Sequence, residues 1–416
     1  QTAVNQLRLI PAAPLYAGNR AAHRLVTEGF DLVREDAARV ALHVDFIDWE
    51  DTARNTFRVV RQFSVEDRAL RRPDLLLFVN GIPVTILELK SAVRADATIY
   101  DAWAQITTRY VRDIPRLLRY TFLAVISDGV NTRMGSIFTP YAFFYAWSRV
   151  QEDDAGRHAV GTLGTMVEGA FAPARLLMIL RDFIFYPDDG ARETAIVCRY
   201  PQFFAARRMF DSIRTHLRPH GDGKGGTYFG ATGCGKTYTM LFLARLLALR
   251  DRETLRNPTI VLIADREDLD TQMAELFVTA KTYLHEQDVR SIESRADLRK
   301  TLHDRPSGGV YVTTIQKFCE DTGLLSARTN VIVISDEAHR SQAGVGAKLR
   351  QTDAGIHTTA TICVSRSPGR RTAVLRGRRW RRRWRCSGLW WIAIRCSSRG
   401  RTGSRCGLPM SRVWRV

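Results

Sequence analysis

The segment 230–237 reads Gly-Ala-Thr-Gly-Cys-Gly-Lys-Thr and fits the phosphate-loop pattern G-x-x-x-x-G-K-[ST] at every fixed position. A β-leaning run (227–229) precedes it, and an apolar run typical of a helix (239–249) follows. In that setting the loop N–H groups and the helix N-terminus face a phosphate chain. The alternative is a glycine-rich turn with a chance lysine. We predict an ATP site in which the amine neutralises phosphate oxygens and the hydroxyl binds Mg²⁺, formed by Gly230, Gly233, Gly235, Lys236 and Thr237.

A second candidate site follows the apolar run 331–334, which ends in Ser-Asp-Glu-Ala-His at 335–339. A continuous apolar strand suits the centre of a parallel sheet, and ligands bind at the carboxyl ends of such strands. We predict that Asp336 joins the Mg²⁺ shell, Glu337 orients the attacking water and His339 senses the nucleotide or a nucleic acid. Taken alone, the same residues also fit an ordinary acidic turn.

Two further carboxylates and an amine flank a predicted hairpin whose turn is Asn-Gly-Ile-Pro at 80–83. Strand alternation places Glu88 and Lys90 on one face, where Asp74 can join them. Hard oxygen ligands beside an amine suit Mg²⁺-dependent phosphodiester cleavage, with Asp74 and Glu88 binding the metal and Lys90 stabilising the developing charge. A surface hairpin closed by a salt bridge fits the same spacing.

The register of this hairpin provides a test of the metal site. A two-residue Asn-Gly turn would place Asp74 opposite Leu87, on the wrong face for Glu88. The metal site therefore requires an extra residue in the turn or a bulge near Pro83, which cannot donate to the strand ladder.

The wider pattern predicts an α/β protein. Short strand-like runs alternate with helical stretches such as 97–112, and aromatic residues at helical spacing, among them Phe143, Phe144 and Trp147, predict a helical connector over 140–186. From residue 200 onward, strands alternate with helices as in a parallel sheet with crossover connections. The predicted strands are 41–47, 56–63, 75–79, 84–89, 121–127, 227–229, 259–264, 309–313 and 331–334.

The net charge of +19 over 416 residues is concentrated near the C-terminus. Residues 354–416 contain sixteen Arg and no Lys, Asp or Glu, which leaves 46 basic and 43 acidic residues in 1–353. We interpret 354–416 as a disordered product of translation in a wrong frame; the alternative is a basic, aromatic-rich extension that binds nucleic acid.

No apolar stretch is long enough for a membrane span, so a cytoplasmic location is expected, and the absence of an initiating Met suggests a fragment. The seven Cys lack disulfide or zinc spacing.

Taken together, these motifs resemble the R (restriction and motor) subunit of type I restriction-modification enzymes over about residues 1–350. The resemblance implies a PD-(D/E)xK nuclease-like domain followed by one RecA-like motor lobe of superfamily 2, with the second lobe absent. The stretches that carry it are Pro-Leu-Tyr-Ala-Gly-Asn-Arg at 14–20, Arg-Pro-Asp at 72–74, Asn-Gly-Ile-Pro at 80–83, Glu-Leu-Lys at 88–90, Ile-Ser-Asp-Gly at 126–129, Ala-Asp-Arg-Glu-Asp-Leu-Asp at 264–270, Thr-Thr-Ile-Gln-Lys-Phe at 313–318 and Asp-Glu-Ala-His-Arg-Ser-Gln at 336–342.

The resemblance also implies roles for individual residues. Gln105 and Tyr110 are similar to an accessory Gln/Tyr pair of the nuclease, but the family more often spaces them as Q-x-x-x-Y, one helical turn. Four residues intervene here, so on an α-helix only one of the two would face the site. Gln202 is similar to an adenine-reading glutamine; the alternative is a solvated helix residue. Positions implied in DNA contact and lobe coupling are Asp265, Arg266, Thr314, Gln316 and Lys317.

Expected boundaries are 1–139 for the nuclease-like domain, 140–194 for the connector, 195–353 for the motor lobe and 354–416 for the tail. The resemblance implies ATP and Mg²⁺ as cofactors, and double-stranded DNA, an M (methyltransferase) subunit and an S (specificity) subunit as partners. The implied activity is ATP-dependent DNA translocation coupled to cleavage of unmodified DNA. The alternatives are an inactive remnant that binds ATP and DNA without turnover, and a DEAD- or Res-type helicase motor without a nuclease.

Overall fold

A computed structural model describes residues 2–32, 41–91, 98–151, 161–190, 193–231, 233–264, 267–317, 325–326, 328–336 and 358–365. The α-helices are α1 (Thr2–Leu9), α2 (Leu15–Glu28), α3 (Ile99–Ala104), α4 (Val111–Asp113), α5 (Pro115–Leu118), α6 (Leu163–Gly169), α7 (Pro173–Asp182), α8 (Tyr200–His216), α9 (Lys236–Leu249), α10 (Arg252–Leu255), α11 (Glu267–Val278), α12 (Lys281–Leu284) and α13 (Arg295–Asp304). Three 3₁₀ turns (Thr52–Arg54, Tyr141–Phe143, Ile315–Lys317) and a π-helical turn (Gln105–Tyr110) complete the described helical structure.

The strands are β1 (Phe30–Leu32), β2 (Leu42–Val44), β3 (Phe57–Arg61), β4 (Val65–Glu66), β5 (Leu70–Arg71), β6 (Leu75–Val79), β7 (Ile82–Leu89), β8 (Leu123–Ser127), β9 (Thr132–Gly135), β10 (Ile184–Phe185), β11 (Ile196–Val197), β12 (Lys224–Ala231), β13 (Thr259–Ala264), β14 (Val289–Ser291), β15 (Val310–Thr314), β16 (Val331–Asp336) and β17 (Thr358–Ser365). Within the described chain they form two main sheets and three two-stranded ones.

The N-terminal main sheet has five strands in the order β3-β6-β7-β8-β9. Neighbours are antiparallel except β7 and β8, which run parallel. Strand alternation separates its two faces. Leu87 and Val125 pack into the larger core of the molecule, whereas Ile86 and Ile126 pack with Ile106 under the helical segment 99–118. Glu88, two residues after Ile86, therefore lies on the face that this helical segment covers.

The predicted strands 75–79, 84–89 and 121–127 correspond to β6, β7 and β8. The connector is less helical than predicted, because its aromatic residues around Trp147 lie in non-helical backbone while their side chains pack into the core. Only Tyr141–Phe143 forms a 3₁₀ turn, after which Tyr145 pairs with Met134, and Trp147 lies buried beside Phe203 with ring centroids 5.8 Å apart. The helical prediction is wrong for 144–151 and correct for the buried apolar residues of α7.

Among the described helices, none is long and apolar enough on its own to cross a membrane. Helices α6 and α7 meet the length and hydropathy criteria only as a pair, and that pair is bent by 78°.

The second main sheet has six parallel strands in the order β12-β17-β16-β13-β15-β14. Its central strands β13 and β16 are mostly apolar and are buried along almost their whole length, and the strand pairing confirms the predicted parallel sheet with crossover connections. The expectation that ordered structure ends near residue 353 is wrong, because β17 lies between β12 and β16. Its sequence, Thr-Thr-Ala-Thr-Ile-Cys-Val-Ser, is rich in β-branched residues and favours a strand despite the Arg-rich sequence that follows. Residues 366–416 lie outside the described part, so both interpretations of them stay predictions.

Helix α2 joins the two sheets. The Asn19 amide donates to the carbonyls of Leu118 and Thr121, both at 2.9 Å, and its oxygen accepts a hydrogen bond from the Tyr186 hydroxyl at 2.7 Å. One helical turn on, His23 Nε2 lies 2.8 Å from the carbonyl oxygen of Leu180 in α7. All of these groups are buried or partly buried, and one continuous apolar core runs from α2 through α7 to α9. The stretch 14–20, read above as a family signature, is therefore the N-terminal half of this bridge.

Candidate functional site

The β6–β7 hairpin contains the bulge that a metal site requires. Asn80 and Gly81 occupy the left-handed region, with φ of 51° and 85°, as a tight Asn-Gly turn demands. Phe78 pairs with Pro83, but Leu77 pairs with residue 85, so Val84 is an extra residue in β7. The bulge shifts the register by one, so that Leu75 lies opposite Leu87 and the preceding residue, Asp74, lies beside Glu88.

Asp74 is fixed at the end of β7 by backbone contacts. Its Oδ2 accepts a hydrogen bond from the Leu89 N–H at 2.8 Å, and its carbonyl oxygen accepts one from the Gln62 N–H at 3.0 Å. The carboxylate is half-buried and thus reaches both the strand and the solvent side. The bulge and these bonds bring the two predicted metal ligands together.

Glu88 is 3% exposed, and both of its oxygens have partners. Oε1 accepts a hydrogen bond from the Gln105 amide and lies 3.4 Å from Lys90 Nζ, while Oε2 accepts one from the Tyr110 hydroxyl at 3.1 Å. Lys90 Nζ also donates to Gln105 Oε1 at 2.8 Å, and the Gln105 amide lies 2.6 Å from the Tyr110 oxygen. The carboxylate, the amine, the amide and the phenol form one closed network.

The electrostatics of this network favour an added positive charge. Burial, and after it the nearby Asp74 carboxylate, raise the pKa of Glu88 to about 7 against the opposing effects of Lys90 and Tyr110. Burial and the Glu88 charge also raise the pKa of Tyr110, so its hydroxyl remains a donor at neutral pH. Two carboxylates therefore share a poorly solvated site, and among the residues that the structure describes Lys90 is the amine that opposes their charge.

The donor set fits a hard divalent cation. Asp74 and Glu88 supply carboxylate oxygens, and Mg²⁺ is commonly held by one or two carboxylates together with water and substrate phosphate. No group of three or more His, Cys, Asp or Glu side chains able to hold a metal occurs in the described part of the chain, so a cage made of protein ligands alone is not indicated there.

The accessory pair contradicts the expectation that one of its members would face away. Gln105 and Tyr110 bound a π-helical turn, in which the Val111 N–H reaches back five residues to the Ile106 carbonyl. The wider turn brings residues five apart onto the same side, so both side chains contact Glu88. The expectation was wrong because it assumed α-helical periodicity.

The phosphate loop has the backbone that its sequence predicts. Gly233 and Gly235 adopt φ of 80° and 79°, and α9 begins at Lys236 with its N-terminus toward the loop. At Gly230 a Cβ would lie 2.7 Å from the Cys234 sulfur, so any larger residue would force that side chain to move. Lys236 Nζ lies 3.5 Å from the Gly230 carbonyl oxygen, a contact at the outer limit of hydrogen bonding, and Thr237 follows half-buried in the first turn of α9.

Gln202 is buried in the first turn of α8, so the alternative of a solvated helix residue is wrong. Its amide donates to the carbonyls of Cys234 and Gly235 at 3.2 and 3.1 Å, and its oxygen accepts from the Arg199 N–H at 2.8 Å. Sequence reasoning missed Arg199, whose guanidinium lies 4.7 Å from the Tyr145 ring centroid and 3.5 Å from the Gly233 carbonyl oxygen. An arginine just before a helix carries no signal that would have revealed this contact.

Four other predicted motor residues are described, and they lie at the carboxyl edge of the parallel sheet. Asp336 ends β16, and Thr314 ends β15. Gln316 and Lys317 follow in a 3₁₀ turn, where Lys317 donates to the carbonyl of Ile292. Predicted residues outside the described part are Asp265, Arg266, Glu337 and His339.

Comparison with known proteins gives two family matches. Residues 1–143 match the family described as type I restriction enzyme R protein N terminus. Residues 201–362 match the SWI2/SNF2 ATPase family, and this matched range includes most of β17. Among solved structures, the UvsW helicase from bacteriophage T4 covers 44% of this chain and 57% of its own, at 17% identity and a TM-score of 0.30, a similarity on which no argument rests.

Curated relatives extend across both matched regions. The type I restriction enzyme HindI endonuclease subunit of Haemophilus influenzae is 36% identical over 317 residues, which is 74% of this chain and 30% of the relative. The putative type I restriction enzyme MjaIXP endonuclease subunit of Methanocaldococcus jannaschii is 32% identical over 339 residues, 75% of this chain and 31% of the relative. The chain thus spans about a third of the length of these relatives. With a type I R-protein N terminus and an ATPase lobe on one chain, this protein belongs to the family of type I restriction enzyme R subunits.

Proposed function

We propose that this chain contributes Mg²⁺-dependent DNA cleavage and ATP-dependent DNA translocation to a type I restriction enzyme. The observation that carries the proposal is the convergence of Asp74, fixed beside Glu88 by the Leu89 N–H, with the partly buried network of Glu88, Lys90, Gln105 and Tyr110. A hairpin closed by a surface salt bridge would need neither the bulge nor a carboxylate that is 3% exposed.

Each residue has a role in the proposed cleavage. Asp74 and Glu88 would hold Mg²⁺, which when bound supplies Lewis-acid activation of a water and of the scissile phosphate. Lys90 lies on the same strand face as Glu88 and would stabilise negative charge that develops on the phosphate. Tyr110 and Gln105 fix the Glu88 carboxylate through hydrogen bonds, so its orientation is set before the substrate arrives.

The parallel-sheet region would bind ATP at the carboxyl edge of its strands. Gly230, Gly233 and Gly235 shape the loop, and Lys236 is placed to leave its 3.5 Å contact with the loop and neutralise phosphate oxygens. Thr237 and Asp336 would complete the Mg²⁺ shell, with Glu337 orienting the attacking water and Gln202 reading adenine. The proposed partners are double-stranded DNA and the M and S subunits, and the proposed location is the cytoplasm.

A motor without a nuclease is disfavoured, because it gives no reason for the closed network around Glu88. An inactive remnant that binds ATP and DNA without turnover is the alternative that experiment must exclude. The two differ in whether metal-dependent cutting accompanies binding.

The test is nicking of supercoiled plasmid by the purified full chain in Mg²⁺, comparing the wild type with Asp74→Ala. We expect the rate to fall by roughly 100-fold or more, because a metal ligand is lost, while ATP binding is retained. Glu50→Ala, which removes an exposed carboxylate of the same region, is the matched control and should nick as the wild type does. Undiminished nicking by Asp74→Ala would overturn the nuclease assignment, and no metal-dependent nicking by the wild type would favour the remnant.

A further inference from the structure

The π-helical turn Gln105–Tyr110 is supported by two threonine side chains. Thr107 Oγ1 donates to the carbonyl of Trp103 at 2.9 Å, and Thr108 Oγ1 donates to the carbonyl of Ala104. Both acceptors lie at the N-terminal edge of the turn, where backbone hydrogen bonding changes from the α to the π register. The hydroxyls therefore stabilise carbonyls at the point where the backbone pattern is interrupted.

Both ends of this helical segment are fixed. At the start, the Asp101 carboxylate accepts from the Thr98 N–H at 2.7 Å in a capping box. At the end, the buried Asp113 carboxylate accepts from Arg71 Nε at 2.6 Å, and Pro115 begins the next helix. Between them, Trp103 Nε1 donates to the Thr139 carbonyl at 3.0 Å and ties α3 to the chain that follows β9. Because α3 and Asp113 are both held by contacts outside the helix, we infer that the π-turn absorbs the extra residue between them locally.

The geometry of an ordinary helix shows what the turn achieves. At 3.6 residues per turn, side chains five residues apart point about 140° apart, so an α-helical Gln105 and Tyr110 could not both reach Glu88. A spacing of four residues brings them to within about 40° of each other. The π-turn thus compensates for one residue of additional spacing.

We propose that Thr107 and Thr108 are positioning residues of the nuclease centre: their hydroxyls hold the π-turn that brings Gln105 and Tyr110 to Glu88. They act on the metal-binding carboxylate through the accessory pair and do not touch the reacting atoms. This inference rests on the proposed nuclease function. It also implies that the extra residue is dispensable if the turn is shortened to match.

Three variants of the full chain test the proposal. In the double variant Thr107→Val and Thr108→Val both hydroxyls are lost at nearly constant shape. In the double variant Thr107→Ser and Thr108→Ser they are kept. Deletion of Thr108 gives the Q-x-x-x-Y spacing, which an α-helix can satisfy.

The measurements are Mn²⁺ affinity by calorimetry, hydrogen exchange of the backbone amides over residues 99–113, and plasmid nicking in Mg²⁺. For the valine variant we expect about tenfold weaker Mn²⁺ binding, from two lost hydrogen bonds, with faster exchange around Val111 and slower nicking. The serine variant and the deletion should bind Mn²⁺ and nick to within about twofold of the wild type, because both preserve the contacts of the pair with Glu88.

Wild-type Mn²⁺ affinity and exchange in the valine variant would overturn the proposal, as would a folded deletion variant that no longer binds Mn²⁺. If the valine variant fails to fold, the deletion decides, because it removes one hydroxyl and yet should retain the site. Asp74→Ala separates this inference from the function on which it rests. If Asp74→Ala binds and nicks normally, the nuclease centre is wrong; if it is defective while the valine variant is normal, only the role of the threonines is wrong.

Discussion

The two candidate centres of this chain are built in opposite ways. The phosphate loop is one contiguous stretch, 230–237, between a strand and a helix, and its geometry follows from local sequence. The nuclease-like centre draws on three separate segments, around Asp74, Glu88 and Gln105, and none of them forms a site by itself. A contiguous motif carries its own geometry, whereas a dispersed site depends on the register of the elements that bear it.

In the dispersed site, that register is set by two single-residue irregularities. The bulge at Val84 moves Asp74 beside Glu88, and the π-turn moves Tyr110 onto the same carboxylate. Both irregularities occur in elements that contribute to the site, as bulges and π-turns often do. Each has a regular counterpart that is one residue shorter, and this can be tested.

Deletion of Val84 should have the largest effect, on stability and not on the site. Without the extra residue, β7 pairs regularly from Ile82 onward, which keeps Leu75 opposite Leu87 and Asp74 beside Glu88. We expect the free energy of unfolding to fall by about 2 kcal/mol or more, because Val84 is buried in the core, while Mn²⁺ affinity stays within about threefold of the wild type because the register of the ligands is kept. Denaturant unfolding and calorimetry measure the two quantities. Loss of Mn²⁺ binding by a folded deletion variant would show that the bulge itself, and not the register, positions Asp74.

Lys236→Ala tests the contiguous centre. The amine is placed to neutralise phosphate oxygens, and charged hydrogen bonds of this kind are worth about 1.5–3 kcal/mol, so ATP affinity should fall by about 10- to 100-fold. Fluorescent nucleotide titration measures the change. Lys300→Ala removes an exposed lysine of α13 and serves as the control. Equal ATP affinity in the two variants would count against the predicted phosphate contact.

His23 tests whether the two regions unfold together. Burial lowers the pKa of His23 to about 4, below the ordinary value of 6.5, so in acid the unfolded chain binds a proton that the folded chain does not. The free energy of unfolding is therefore unaffected by His23 protonation above about pH 6.5. It decreases as the pH falls from 6.5 toward 4, by about 2 kcal/mol at pH 5. His23→Gln should remove this part of the pH slope in denaturant unfolding.

Because of where His23 lies, the pH dependence of unfolding tests whether the two main sheets unfold together. It lies on the bridging helix, beside Leu180 of α7. A single transition, monitored by tryptophan fluorescence and by nucleotide release, should shift with pH as one unit. Separate transitions, only one of which depends on His23, would mean that the sheets unfold independently.

Gln202→Ala should have the smallest effect. If the glutamine reads adenine, ATP affinity falls by about fivefold to tenfold while GTP affinity is unchanged, because one base-specific pair of hydrogen bonds is lost. If it only supports the loop carbonyls of Cys234 and Gly235, both affinities fall together. Parallel titrations with ATP and GTP distinguish the two roles.

Strand periodicity and motif spacing predicted most of the elements that carry these sites. The hairpin, the parallel sheet and the phosphate loop follow from local alternation, an Asn-Gly turn and fixed glycines. The need for a bulge near Pro83 could also be predicted, because pairing arithmetic exposes a conflict between Asp74 and Glu88. The structure confirms that bulge.

The remaining features depend on tertiary contacts that have no local signal. Trp147 enters the core from extended chain, although its aromatic neighbours are spaced as on a helix. The π-turn depends on contacts that hold its segment on both sides, from Trp103 to Thr139 and from Asp113 to Arg71, and long-range contacts of this kind are invisible in sequence. For β17, composition averaged over the Arg-rich sequence concealed a short β-branched run.

The bridging helix α2 has a mechanical consequence. Asn19 bonds the chain that leads from α5 into β8. Tyr16 and Arg20 contact Thr194 and Asp188, and Glu28 lies 2.9 Å from His285, which follows α12. These contacts and the continuous apolar core join the centre around Glu88 to the six-stranded sheet. Under the proposed function, the timing of cleavage would then depend on how DNA reaches this centre and not on a movement of the centre itself.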